Sequence, residues 1–215
     1  MENVLVFDFD GTIVDSKDIG INIYNEIAEE YNFKKIDNSV VSNLSALSIA
    51  QKCKVLGIPI SKIPFLAYKI NEKFKNHILN VKVFDKMKDV LYSLDKSGYS
   101  LNIISSNTEN TIKAVLQNND LDIFKNIYSS KNIFGKHTVI NSFIKKHKLN
   151  KKDILYVGDE LRDIEACKKS KIKIISVTWG FDSHDLLLSG NPDFIAKTPA
   201  DIIEIVSAYF FNSKY

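Results

Sequence analysis

Val4-Leu5-Val6-Phe7-Asp8-Phe9-Asp10-Gly11-Thr12 is an apolar run that ends in two aspartates and a glycine turn. As a strand it would alternate its side chains between faces, so residues two apart point the same way. Asp8 and Asp10 then project together from the strand's C-terminal end, the edge where open α/β sheets place their ligands. Two carboxylates ~4 Å apart at an effective dielectric near 20 repel by about 4 kcal/mol. A cation, a shared proton or an anionic substrate bridged by metal would offset that repulsion. The simpler alternative is a strand that ends in an ordinary polar Asp-Gly turn.

Outward from this stretch, short apolar strands alternate with helical patterns. Further strands are expected at Leu101–Ser105, Ile127–Ser129, Ile154–Val157, Ile174–Val177 and Phe194–Ile195. Helical periodicity fills Lys86–Lys96, Asn110–Asn118, Val139–His147 and Asp163–Lys169. Strands separated by helices read as βαβ units, hence an α/β fold with a Rossmann-like, doubly wound parallel sheet covered on both faces. One gap breaks the rhythm: the stretch between the first strand and Leu101 is far longer than a crossover helix needs. Ile19, Ile23 and Ile27 recur at i+4, with Asp15 or Ser16 as N-cap, and further helices are expected near Val40–Leu44, Ser48–Leu56 and Ile63–Asn76. Residues 16–83 are therefore expected to form an all-helical cap on a core of residues 1–15 plus 84–215.

Composition narrows the function classes. The 215 residues carry 29 basic and 26 acidic side chains, a net charge of +3 that argues for neither nucleic acid nor an anionic membrane. Cys53 and Cys167 are far apart and outside any CxxC pair, which fits a reducing compartment rather than a disulfide framework or zinc site. No apolar run approaches membrane-spanning length. The expectation is a soluble, cytoplasmic protein acting on a small molecule, with an oligomeric state the sequence does not encode legibly.

A second acidic set closes another strand at Gly158-Asp159-Glu160-Leu161-Arg162-Asp163. A helix starting near Asp159 would place Asp159 and Asp163 on one face. Carboxylates without histidine or thiolate partners suit a hard cation, and Mg²⁺ fits best because it keeps waters and binds substrate phosphate. Asp159 as a plain helix N-cap is the alternative. Ser105-Ser106-Asn107-Thr108 is a hydroxyl-rich turn between strand and helix, either a phosphate cradle or a simple cap. Phe134-Gly135-Lys136 supplies a cation on a glycine-flexible loop, and no Walker A, GxGxxG or HExxH pattern occurs.

Together these motifs resemble the haloacid dehalogenase-like (HAD) superfamily, in particular its phosphoglycolate-phosphatase-like branch with a helical cap after the first strand. Asp8-Phe9-Asp10-Gly11-Thr12, Ser105, Lys136 and Gly158-Asp159-Glu160-x-x-Asp163 stand in family order. The resemblance implies Asp8 as nucleophile, giving an aspartyl-phosphate, and Asp10 as acid and then base. It implies Mg²⁺ on the Asp8 carboxylate, the Asp10 carbonyl and Asp159, with Asp163 direct or one shell out. Ser105 or its neighbour Ser106, with Lys136, would bind phosphate. Asp10 favours phosphoryl chemistry over dehalogenation. A sugar-phosphate mutase shares all four motifs, whereas a phospho-aspartate signalling module fits the long insertion and the late acidic motif poorly. The implied activity is a Mg²⁺-dependent phosphatase of a small phosphomonoester such as phosphoglycolate or a sugar phosphate. Asp15 at the cap entrance and Ser42, Asn43 and Ser45 in a cap loop are candidates for selecting the leaving group. The lack of Arg or Lys in Ser42–Ser48 argues mildly against a second anionic group.

Overall fold

A computed structural model describes residues 3–130 and 135–212. Six parallel strands form one sheet, in the order β5-β4-β1-β6-β7-β8. They are β1 (Val4–Phe7), β4 (Ser100–Ser105), β5 (Asn126–Ser129), β6 (Ile154–Gly158), β7 (Lys173–Val177) and β8 (Phe194–Ala196). Four helices follow the strands as crossovers: α6 (Glu109–Asn118), α7 (Lys136–Lys146), α8 (Leu161–Ser170) and α9 (His184–Ser189). Helix α5 (Met87–Lys96) leads into β4, and α10 (Pro199–Asn212) follows β8. The strand order runs outward from β1 in both directions, so β1 sits at the reversal point where such sheets open a crevice.

Alternation along β1 explains the two-faced burial. Leu5 and Phe7 join Leu91, Ile112 and Val206 on one face, whereas Val4 and Val6 join Ile140, Phe143 and Ile164 on the other. β1, β4 and β6 are buried along their whole length, and β1 and β6 are near-continuous apolar runs, whereas β4 also buries Ser100, Asn102 and Ser105.

The long gap is helical. Between the two-residue strands β2 (Val14–Asp15) and β3 (Lys82–Val83) run α1 (Lys17–Tyr31), α2 (Asn38–Ser45), α3 (Ile49–Leu56) and α4 (Ile63–Phe74). β2 and β3 pair antiparallel, Val14 with Val83 and Asp15 with Lys82, so the chain leaves and re-enters the sheet region side by side. The apolar faces of α1 and α4 belong to the same cluster as Phe7 and Leu91, so the helices continue the packing on that side of the sheet. No helix among the described residues is long and apolar enough to cross a membrane.

Three local expectations change. β1 ends at Phe7, so Asp8 and Asp10 lie beyond the strand, in a turn where Ile13 N–H donates to the Phe9 carbonyl at 2.9 Å and Gly11 takes φ +78°. Helix α8 starts at Leu161, so Asp159 precedes it and does not share a helical face with Asp163. Ser42 and Ser45 belong to α2 rather than to a loop, because Asp37 caps that helix by accepting from the Ser39 N–H at 2.8 Å.

Candidate active site

β1, β4 and β6 deliver their C-terminal ends to one place. Asp8 is 2 % exposed; its N–H continues the sheet ladder to the Val157 carbonyl at 2.8 Å. One carboxylate oxygen, Oδ1, accepts from the Phe9 N–H at 2.8 Å, and the other accepts from Lys136 Nζ at 2.7 Å. Lys136 is not on an exposed loop. It is the first residue of α7 and only 2 % exposed, and its ammonium also donates to Asp163 and lies 5.8 Å from the centre of the Tyr156 ring. Burial alone would lower the Lys136 pKa, but Asp163 and Asp8 outweigh it and hold the ammonium above its usual range. Phe134, named with Lys136 in the sequence, lies outside the described residues, as do residues 1–2, 131–133 and 213–215 of the expected core.

Asp10 lies half-buried beside Asp8. Its carboxylate accepts from the Ser16 hydroxyl at 2.8 Å and from Asn107 Nδ2 at 3.1 Å. Burial, opposed by the Ser16 bond and reinforced by the charge of Asp8, raises its pKa to about 6. Ser16 thus spends its hydroxyl on Asp10 rather than on capping α1.

Asp159 is fully buried. Its carboxylate accepts from the Thr12 hydroxyl at 2.7 Å and the Phe181 N–H at 2.8 Å. Burial, with Glu160, Asp8 and Asp163 nearby, pushes its pKa well up. Space around it is made by glycines: a Cβ on Gly180 would sit 2.2 Å from Asp159 Oδ2, and one on Gly11 2.3 Å from it. Asp163 is buried as well; its second oxygen accepts from the Glu160 N–H at 3.3 Å, and burial raises its pKa. Glu160 pairs with Arg162, which, with Lys52 and Lys136, holds it below the usual carboxylate range against the effect of burial.

The two serines differ. Ser105 is buried and its hydroxyl accepts from the Asn107 N–H at 3.1 Å, whereas the half-buried Ser106 hydroxyl lies 3.5 Å from an Arg162 nitrogen. Of the selectivity candidates, Ser45 lines the cavity above the site. The structure does not bring Ser42, Asn43 or Asp15 to it. Ser42 and Asn43 are exposed on α2, and Asp15 is exposed in β2 opposite Lys82.

Sequence reasoning missed Asn107, which orients Asp10, and Arg162, which joins the acidic motif to the Ser106 turn. Asn107 was visible only as one of several possible caps, and a lone arginine at a helix start carries no periodic signal.

The donor set suits a hard divalent cation. Oxygens of Asp8, Glu160 and Asp163 lie within 4.8 Å of one another, and Asp10 and Asp159 add two more carboxylates against the cations Lys136 and Arg162. Acid in such excess, buried and free of histidine or thiolate, matches the oxygen ligands that Mg²⁺ takes.

The family model for haloacid dehalogenase-like hydrolases matches residues 5–177. The chain belongs to the haloacid dehalogenase-like hydrolase family. It is an enzyme of this family's phosphatase kind, and its relatives carry that activity in their names. A phosphoglycolate phosphatase from Synechococcus elongatus is 28 % identical over 204 residues, spanning 94 % of this chain and 96 % of its own. A phosphoglycolate phosphatase from Aquifex aeolicus is 25 % identical, with 94 % and 96 % covered. Among solved structures, a haloacid dehalogenase-like hydrolase from Streptococcus pneumoniae superposes with a TM-score of 0.78 at 25 % identity, over 97 % of this chain and 98 % of that one.

Proposed function

We propose that this family member is a Mg²⁺-dependent phosphatase that releases phosphate from a small phosphomonoester through an aspartyl-phosphate on Asp8. The observation that supports it is the pairing of a buried, lysine-held carboxylate at Asp8 with a neighbour, Asp10, whose pKa of about 6 lets it carry a proton. An Asp8 carboxylate oxygen attacks phosphorus and the ester P–O bond breaks, while Asp10 gives its proton to the departing alcohol. A water then attacks the aspartyl-phosphate, Asp10 takes the proton back, and inorganic phosphate leaves with Asp8 regenerated. In this reading Ser105 and Lys136 would meet the phosphoryl oxygens. Asp8, Asp159 and the Asp10 carbonyl would hold Mg²⁺, with Asp163 beside them; bound there, the ion neutralises charge on the transferring phosphoryl group. In this reading the helices of residues 16–83 cap the core and exclude water.

Phosphate release from a panel of phosphomonoesters, with Mg²⁺ and with chelator, tests the proposal. Release that needs Mg²⁺ is the expected result, and the absence of release from every ester would sink it. Two finer outcomes follow. Because Asp10 must be protonated to serve as acid, kcat/KM falls as pH rises through about 6. Asp10→Asn removes that limb and lowers kcat by about 10²- to 10⁴-fold; a pH–rate profile of both proteins checks it. Gly180→Ala forces Asp159 from its place, since the new methyl would lie 2.2 Å from its oxygen. The Mg²⁺ concentration for half-maximal activity should then rise by about tenfold or more, as a metal titration would read.

A further inference from the structure

Helices α1 to α4 do not close on themselves. They leave a cavity of about 350 Å³ whose floor includes Asp10, Ser106, Asn107 and Arg162. Its walls are apolar, among them Tyr24, Leu44, Leu56, Leu66 and Ile70. Leu44, Leu56 and Leu66 are buried members of the main apolar cluster and also line the cavity, so its wall is a continuation of the packed core. The cleft opens to solvent, yet its largely apolar walls offer water few partners. The cavity ends on the side chain that protonates the departing alcohol, so what fills it is the alcohol itself.

Charge at the floor agrees. Arg162 is matched by Glu160, and Lys52 by Asp182 at 2.6 Å, while Lys17 at the rim lies 3.4 Å from the Gly180 carbonyl. A second anionic group on the substrate would meet, in Arg162 and Lys52, cations already paired with carboxylates, and only Lys17 at the rim is held by a backbone carbonyl instead.

We infer that the leaving group is an apolar alcohol, alkyl or aryl, of about ten to twelve non-hydrogen atoms, because an apolar cavity of roughly 150 Å³ already holds a benzene ring. This rests on the phosphatase reading above and names its substrate class, which is neither a carboxylate such as glycolate nor a polyol.

Straight-chain alkyl phosphates, kept below their micelle concentrations, vary length at nearly constant leaving-group acidity. With Mg²⁺, kcat/KM should rise about three- to fourfold per methylene and level off near the decyl ester, with phosphoglycolate and glucose 6-phosphate far below. A flat series, or phosphoglycolate as the fastest substrate, overturns the inference. Ala67→Phe, which fills the cavity from α4, should end the rise at a shorter chain, and an unmoved plateau would count against the cavity. If no ester is hydrolysed, the phosphatase reading fails by itself. Calorimetric binding of straight-chain alkylphosphonates to the wild-type protein still decides the cavity: affinity that climbs with length supports it, and affinity independent of length overturns it.

Discussion

Asp8→Asn lowers kcat by about four orders of magnitude or more while leaving the protein folded. Asparagine keeps the shape of the side chain and an oxygen for the Phe9 N–H, but it is no nucleophile toward phosphorus. Lys136 retains Asp163 as its partner, so no cation is stranded. The substitution also removes one negative charge from a cluster rich in acid, so the metal-free variant should melt at or above the wild-type temperature. Thermal unfolding and phosphate release, measured on the same preparation, separate the two effects. Ordinary turnover in a folded Asp8→Asn protein would remove Asp8 from its proposed role.

Lys136→Met should damage fold and chemistry together. Deleting the cation leaves Asp8 and Asp163 facing each other, 2–3 % and 0 % exposed, with nothing between them. Breaking a buried pair from one side costs about 3–5 kcal/mol. The sign of the pH dependence follows from Asp163, whose pKa burial already raises. With the ammonium gone it rises further, so the folded variant binds a proton that the unfolded chain has released. The deficit is therefore largest at neutral pH and shrinks as acid protonates the pair. Urea unfolding at pH 7 and pH 5 checks this, and equal stability of variant and wild type at pH 7 would refute it. Activity should fall by about 10²- to 10³-fold or more, as when a group that neutralises transition-state charge is lost.

Why these two side chains meet is only partly legible in the chain. The six strands, with ends shifted by a residue or two, follow from apolar runs that a two-faced sheet requires, and the acidic turns after β1 and β6 stand out for their spacing. Lys136 is a different case. One lysine among many carries no local mark of burial, and only the packing of α7 against β4 and α8 takes it to Asp8. β2 and β3 were missed because two residues are too few to show a period. Helix α10 was missed although Ile202, Val206 and Phe210 recur every four residues and are buried. The selectivity residues were placed by analogy with a loop. Ser42, Asn43 and Ser45 lie in α2, with only residues 46–48 of the Ser42–Ser48 stretch outside a helix, and the cavity walls come from four separate helices whose inner faces no single window of sequence reveals.

The β2–β3 ribbon has a consequence for how such a protein can diversify. Since Val14 pairs with Val83 and Asp15 with Lys82, everything from residue 16 to residue 81 is, to the sheet, one long hairpin loop. The entropy of closing a loop grows only logarithmically with its length, so changes in the length of this segment cost little in closure entropy as long as the helix faces packed against Phe7 and Leu91 are kept. The register that aligns β1 with β4 and β6, and so sets Asp8 beside Lys136 and Asp159, is fixed without reference to that loop. Bond-breaking and substrate choice can then be inherited as separate traits, the first carried by strand ends and the second by a segment whose two anchor points never move.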